Sequence, residues 1–141
     1  MIKIYELKEI NEETVNAFAN FIPQLAPDIK VPTMSELKAI VSSPGSTLFV
    51  AEDKEIIGAI TLINYRIPSG IKVWIEDLVV EKNARGKGVG EALILYAISH
   101  ARKLGFSKID LTSSLHRHKA KGLYQKLGFV KRSSRVYRWQ D

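Results

Sequence analysis

The sequence contains no cysteine. Disulfides, thiol nucleophiles and thiolate metal sites are excluded with it, and a reducing compartment, the cytoplasm, is the expected location. No apolar run reaches the ~18–20 residues of a membrane-spanning helix. The N-terminus, MIKIYELKEI, alternates apolar and polar residues and lacks the continuous apolar core of a secretory signal. No repeat, low-complexity tract or long linker divides the chain, so residues 1–141 are read as a single domain. Histidine is scarce, and His116 and His118 lack the i, i+4 spacing of a helical metal pair. His100 is expected on the exposed face of a helix or at its end. No metal site is expected.

What is present fits a globular protein. A hydrophobic content of 45% beside 26% charged residues rules out a disordered chain and suffices for a core. The charge is unevenly placed. Residues 1–80 carry seven Lys and Arg against eleven Asp and Glu, a net of −4. Residues 81–141 carry fourteen against four, a net of +10. Such a basic half serves an anionic partner (a phosphorylated cofactor, a nucleic acid or an anionic membrane) or is simply a solvated lysine surface.

Hydrophobic periodicity orders the elements. IKIYELK (2–8) alternates as a strand. Asn11 caps a helix with Glu12 and Glu13 in its first turn and Val15, Phe18 and Ile22 on one side. Pro23, Pro27 and Pro32 bound an irregular link. Thr33 and Glu36 have capping-box spacing ahead of Leu37, Ile40 and Val41. TLFVAED and IIGAITLINYR flank the short KE as a hairpin, and IKVWIEDLVV (71–80) is a third strand of this group. A helix over 89–104 ends at Gly105, a strand over 107–114 follows, and a helix over 117–127 stops at Gly128. FVKRSSRVYRWQ (129–140) supplies one or two closing strands. This order predicts an α/β or α+β sheet with helices on its faces.

Between the 71–80 strand and its helix lies EKNARGKGVGEAL, with three glycines from Arg85 to Gly90. Glycine costs backbone entropy at a helix entrance. A bare loop there makes an anion site, because unpaired N–H groups converge, the helix dipole adds positive charge, and a phosphate can approach closely. Arg85 and Lys87 add charge-assisted donors. The loop is not a P-loop, since no Gly-Lys-Ser/Thr occurs. It is not the dinucleotide fingerprint either, since Glu91 stands where the third glycine belongs.

The pattern Arg85-Gly86-Lys87-Gly88-Val89-Gly90, set between a strand and an amphipathic helix, resembles the Arg/Gln-x-x-Gly-x-Gly/Ala motif of the GNAT-superfamily N-acetyltransferases. The resemblance runs through IEDLVVEKNARGKGVGEALI (75–94) and KGLYQKLGF (121–129), and covers 73–130 closely. It implies a mixed, mostly antiparallel central sheet with a splayed strand pair and helices on both faces. It also implies that acetyl-coenzyme A donates an acetyl group directly to a primary amine. On that resemblance the loop amides and side chains from Arg85, Gly86, Lys87, Gly88, Val89 and Gly90 hold the pyrophosphate. The main chain of Leu78, Val79 and Val80 holds the pantetheine arm. Tyr124 protonates the departing thiolate; its other reading is a core residue on the apolar stripe of its helix. The base is Glu76 or a water relay, and Glu76 is alternatively an anchor for the substrate ammonium or a surface ion-pair partner. Strand alternation places it on the side of Leu78 and Val80, with Asp77 turned the other way. Many members carry Asn where this chain has Arg117, which is assigned to a coenzyme A phosphate or to plain surface.

The acceptor is open. The acidic N-terminal half would attract a cationic amine, and Phe18, Phe21, Tyr65 and Trp74 line a pocket for an aromatic amine or are ordinary core. The expected partner is an amine, small or on a protein, with a homodimer left open and neither nucleic acid nor membrane expected. The competing readings are a non-catalytic acetyl-coenzyme A sensor, which would need neither Glu76 nor Tyr124, and a basic nucleic-acid module.

Overall fold

The computed structural model describes residues 1–113 and 118–141, with residues 118–120 through their backbone alone. Two compact units are distinguished, Met1–Leu111 and Thr112–Asp141.

In the first unit the order is β1 (Lys3–Glu6), α1 (Glu12–Leu25), α2 (Met34–Ser42), β2 (Ser46–Asp53), β3 (Glu55–Ile67), β4 (Gly70–Val80) and α3 (Val89–Lys103). The helix starts are set as their local chemistry requires. The Asn11 side chain accepts from the Thr14 N–H at 2.9 Å and the Thr14 hydroxyl at 3.0 Å. Thr33 and Glu36 cap each other reciprocally, and the hydrogen bonds from Thr33 hold the Glu36 carboxyl below its ordinary range. Pro23 corrects one expectation, since it lies inside α1 rather than at its boundary. So close to the helix end, the single hydrogen bond it forfeits does not stop the last turn.

The four strands form one antiparallel sheet in the order β1-β2-β3-β4. Strand alternation sends side chains to two sides. Leu48 and Val50 of β2, Ala59 of β3 and Val79 of β4 pack with Phe18, Phe21 and Leu37 of α1 and α2. Phe49, between Leu48 and Val50, turns the other way and meets the rings of Tyr96 and His100 in α3 at 5.3 and 5.0 Å. Helices therefore cover both faces of the sheet. His100 lies at the helix end, as one of its two readings had it, and packs on Phe49. Phe18 and Phe21 stack edge to face, 5.5 Å apart, as core.

β4 is interrupted. Ala59 pairs with Val79 but Thr61 pairs with Glu76, so Asp77 and Leu78 together oppose Ile60. This is a β-bulge, and Asp77 takes the left-handed φ of 49°, which Asp tolerates better than most side chains. Directly paired residues share a face, so Glu76 lies with Thr61, Trp74 and Val79 on the α1/α2 side, while Val80 lies with Gly58 on the α3 side. The expected alignment of Glu76 with Leu78 and Val80 is thereby corrected: the extra residue resets the alternation between them.

The stretch 107–114 does not form the expected strand over its described residues. It touches β4 through one parallel bridge, in which Asp110 N–H donates to the Val73 carbonyl and Ile75 N–H to the Asp110 carbonyl, both at 2.9 Å. In the second unit, α4 (His118–Lys126) ends at Gly128, with φ 95°, and 129–141 carries no strand. A strand exists through the ladder it joins, and alternation alone supplies no partner. No helix among the described residues is long and apolar enough to cross a membrane.

Candidate functional site

The glycine segment joins β4 to α3 through a 3-10 turn at Lys82–Ala84. Gly86 and Gly88 have φ of 80° and 81°, and a Cβ placed on either would meet nothing within 4 Å. The conformation calls for glycine, and the space on that side is open. Gly88 is the N-cap residue of α3, with no side-chain cap. The Val89 and Gly90 N–H groups have no hydrogen-bond partner among the described residues and lie at the positive end of the helix dipole. The buried Val89 side chain fixes this helix start on the core. Lys87 is exposed between the two glycines.

Arg85 is held more firmly than its sequence implies. Its Nε donates to the Val80 carbonyl and its Nη2 to Gln24 Oε1, each at 3.0 Å. Its Nη1 has no hydrogen-bond partner among the described residues. Gln24, on α1, also donates to Glu81 Oε2 at 3.2 Å. Neither Gln24 nor Glu81 stands out in the sequence, since both act here through contacts 57 and 61 residues apart.

The end of β4 divides its backbone groups by register. Glu81 N–H donates to the Ile57 carbonyl at 2.7 Å, so by antiparallel alternation Val79 also turns into the ladder. Leu78 and Val80 turn outward, to an edge that no described strand covers beyond the Asp110 bridge. Leu78, Val79 and Val80, the three residues expected to offer main-chain groups, thus divide between the ladder and the open edge. The Val80 carbonyl already receives Arg85.

Glu76 stands one residue before the bulge. Partial withdrawal from water pushes its carboxyl above the ordinary value, and the neighbouring Asp77 carboxylate adds to the rise. Asp77 itself makes no ion pair among the described residues. On the same face Trp74 Nε1 donates to the Tyr65 hydroxyl at 3.3 Å. Four of the eleven acidic side chains of the N-terminal half gather elsewhere. Glu6, Glu9, Glu13 and Glu52 line a cavity of about 360 Å³ at the β1–α1 junction, to which β4 contributes no residue.

Tyr124 belongs to α4 of the second unit. Its ring meets that of Phe129 edge to face at 5.9 Å, and its carbonyl accepts from Phe129 N–H. Arg117 lies outside the described residues. No group of metal-binding side chains occurs among the described residues.

This sheet, interrupted at its last strand and followed by a glycine turn and a helix, superposes on solved acetyltransferases. An aminoglycoside acetyltransferase from an uncultured soil metagenomic sample, solved with sisomicin, superposes with a TM-score of 0.85 over 99% of this chain and 95% of that one, at 17% identity, a likeness of fold. A Trypanosoma brucei acetyltransferase gives 0.78 over 99% of both chains at 26% identity. The model of the acetyltransferase (GNAT) family matches residues 8–129. The chain belongs to that family.

Human N-acetyltransferase 8B is 34% identical over 109 residues, 74% of this chain and 48% of that protein. The D-amino-acid N-acetyltransferase HPA3 of Saccharomyces cerevisiae is 28% identical over 74% of this chain and 67% of its own length. The chain spans about half the length of the first curated relatives it matches.

Proposed function

We propose that this chain is an N-acetyltransferase that moves an acetyl group from acetyl-coenzyme A to a primary amine by direct attack, as one domain spanning 1–141. The observation that carries the reading is the uncapped start of α3 behind Gly86 and Gly88, adjoining the outward edge of β4. The family match crosses both compact units, which supports the single domain. A reducing compartment, the cytoplasm, accords with the absence of cysteine.

Acetyl-coenzyme A, the donor the family uses, supplies the activated acyl group. The residues of this chain fit it. The α3 amides, Lys87 and the Nη1 of Arg85 are donors for a pyrophosphate. The outward main chain of Leu78 and Val80 suits an extended amide-bearing arm, and the Leu78 N–H suits a developing oxyanion. Glu76 takes the proton that the amine must lose for its nitrogen to bond to the acyl carbon. As the carbon–sulfur bond breaks, Tyr124 gives a proton to sulfur. Trp74 and Tyr65 share the Glu76 face and offer an aromatic surface to the acceptor.

Calorimetric titration with acetyl-coenzyme A tests the binding half of the proposal, with bulk DNA as control. A micromolar Kd without DNA binding is the expected result. DNA binding without cofactor binding would return the basic half to a nucleic-acid surface. An amine screen for thiol release then tests the chemistry. A chain that binds and never releases thiol is a sensor. With an accepted amine in hand, Tyr124→Phe should lower turnover by about tenfold to a hundredfold at unchanged cofactor affinity. Full activity in that variant would restrict Tyr124 to packing on Phe129.

A further inference from the structure

We infer that Gln24 is the positioning residue of the donor site, holding Arg85 on the β4 edge and keeping it out of an ion pair with Glu81. The inference rests on the reading of residues 85–90 as a pyrophosphate site. Every polar atom of the Gln24 side chain is used in a fixed sense. Its amino group donates to the Asn20 carbonyl at 2.9 Å and to Glu81 Oε2 at 3.2 Å, and its carbonyl accepts from Arg85 Nη2 at 3.0 Å. A flipped amide would face a donor with donors and an acceptor with an acceptor, so the orientation is dictated.

The consequence is electrostatic. Arg85 and Glu81 stand four residues apart and both reach the same carboxamide, yet no direct ion pair joins them. A carboxylate can take a guanidinium by two parallel charge-assisted bonds, which would withdraw Arg85 from an anionic ligand. A neutral side chain carrying both a donor and an acceptor satisfies the two charges while keeping them apart, and a carboxamide places its donors and its acceptor on separate atoms. With Nε on Val80 and Nη2 on Gln24, the guanidinium is fixed at two points and Nη1 remains for a phosphate oxygen.

Titration of the 141-residue chain with coenzyme A tests this in five forms: wild type, Gln24→Ala, Arg85→Ala, the double variant, and Gln24→Ala with Glu81→Gln. Alanine suits the helix, so α1 is retained. Gln24→Ala should weaken binding about tenfold, by an amount that vanishes in the Arg85→Ala background. Glu81→Gln should restore most of the loss, since the competing carboxylate is then gone. An equal loss in the Arg85→Ala background, or no restoration by Glu81→Gln, would overturn the inference. Should the wild type itself not bind coenzyme A, the pyrophosphate reading fails separately. Exchange of the Arg85 Nε proton by NMR, which needs no ligand, then decides on Gln24. Protection lost in Gln24→Ala supports the positioning role, and exchange unchanged between the two refutes it.

Discussion

Gly88→Asp is expected to lose acetyl-coenzyme A affinity by more than about a hundredfold while the protein stays folded. Two effects combine at this position. An aspartate at the N-cap of α3 can accept from the N–H groups that Gly88 leaves uncapped, so it competes for the donors assigned to the pyrophosphate. It also sets a carboxylate where two phosphate charges must come. The fold tolerates the change because a Cβ there meets nothing within 4 Å. The φ of 81° costs an L residue about 1–2 kcal/mol, and Asp is among the residues that visit this region most readily. Gly88→Ala carries the backbone strain without the charge and should lose far less affinity. Thermal unfolding checks the fold of both variants. Wild-type affinity in Gly88→Asp would end the loop assignment, and equal losses in the two variants would shift the cause from charge to backbone.

The second large effect is expected at Glu76. Glu76→Gln should lower kcat by about a hundredfold at unchanged acetyl-coenzyme A affinity, and remove the acid limb of the pH profile. The base must be ionised to act, so activity rises with pH through its pKa. With that pKa pushed up by burial and by Asp77, the rise falls above the ordinary carboxylate range. The same shift has a stability consequence of defined sign. A carboxyl whose folded-state pKa is raised stabilises the protein below its unfolded pKa and loses that contribution as pH climbs through the folded value. Glu76→Gln should therefore be no less stable than wild type at neutral pH. A structural ion-pair role predicts the opposite, a destabilised and active variant. An ammonium anchor predicts a raised KM with kcat retained. Steady-state kinetics and denaturant melts together separate the three.

Much of this arrangement was legible because its causes are local. Asn11, Thr33 and Glu36 announce helix starts through side-chain chemistry within a few residues, and Gly86 and Gly88 announce a turn that only a bare backbone follows comfortably. Pro23 was misleading, since proline marks a boundary only where the lost hydrogen bond matters. The bulge was hidden. Its left-handed residue is Asp77 rather than a glycine, so nothing in VWIEDLVV warns that counting by twos fails after Glu76. The segments 107–114 and 129–140 have strand-forming residues, but pairing depends on which edge meets them, a matter the segment itself does not encode. The Gln24–Arg85 contact has the same character, joining a helix end to a loop 61 positions later.

The extra residue in β4 gives the strand two phases. Upstream of Asp77, residues 72, 74 and 76 keep step with one another across from β3; downstream, the count begins afresh at Val79. An uninterrupted strand would lock all even-numbered positions into one rank, and any remodelling of the surface around Trp74 would propagate into the outward main chain at Leu78 and Val80. With the slip in place, the two stretches follow separate side-chain alternations. On the proposed reading, a lineage can exchange one amine for another upstream while its grip on the acyl donor downstream is inherited unchanged.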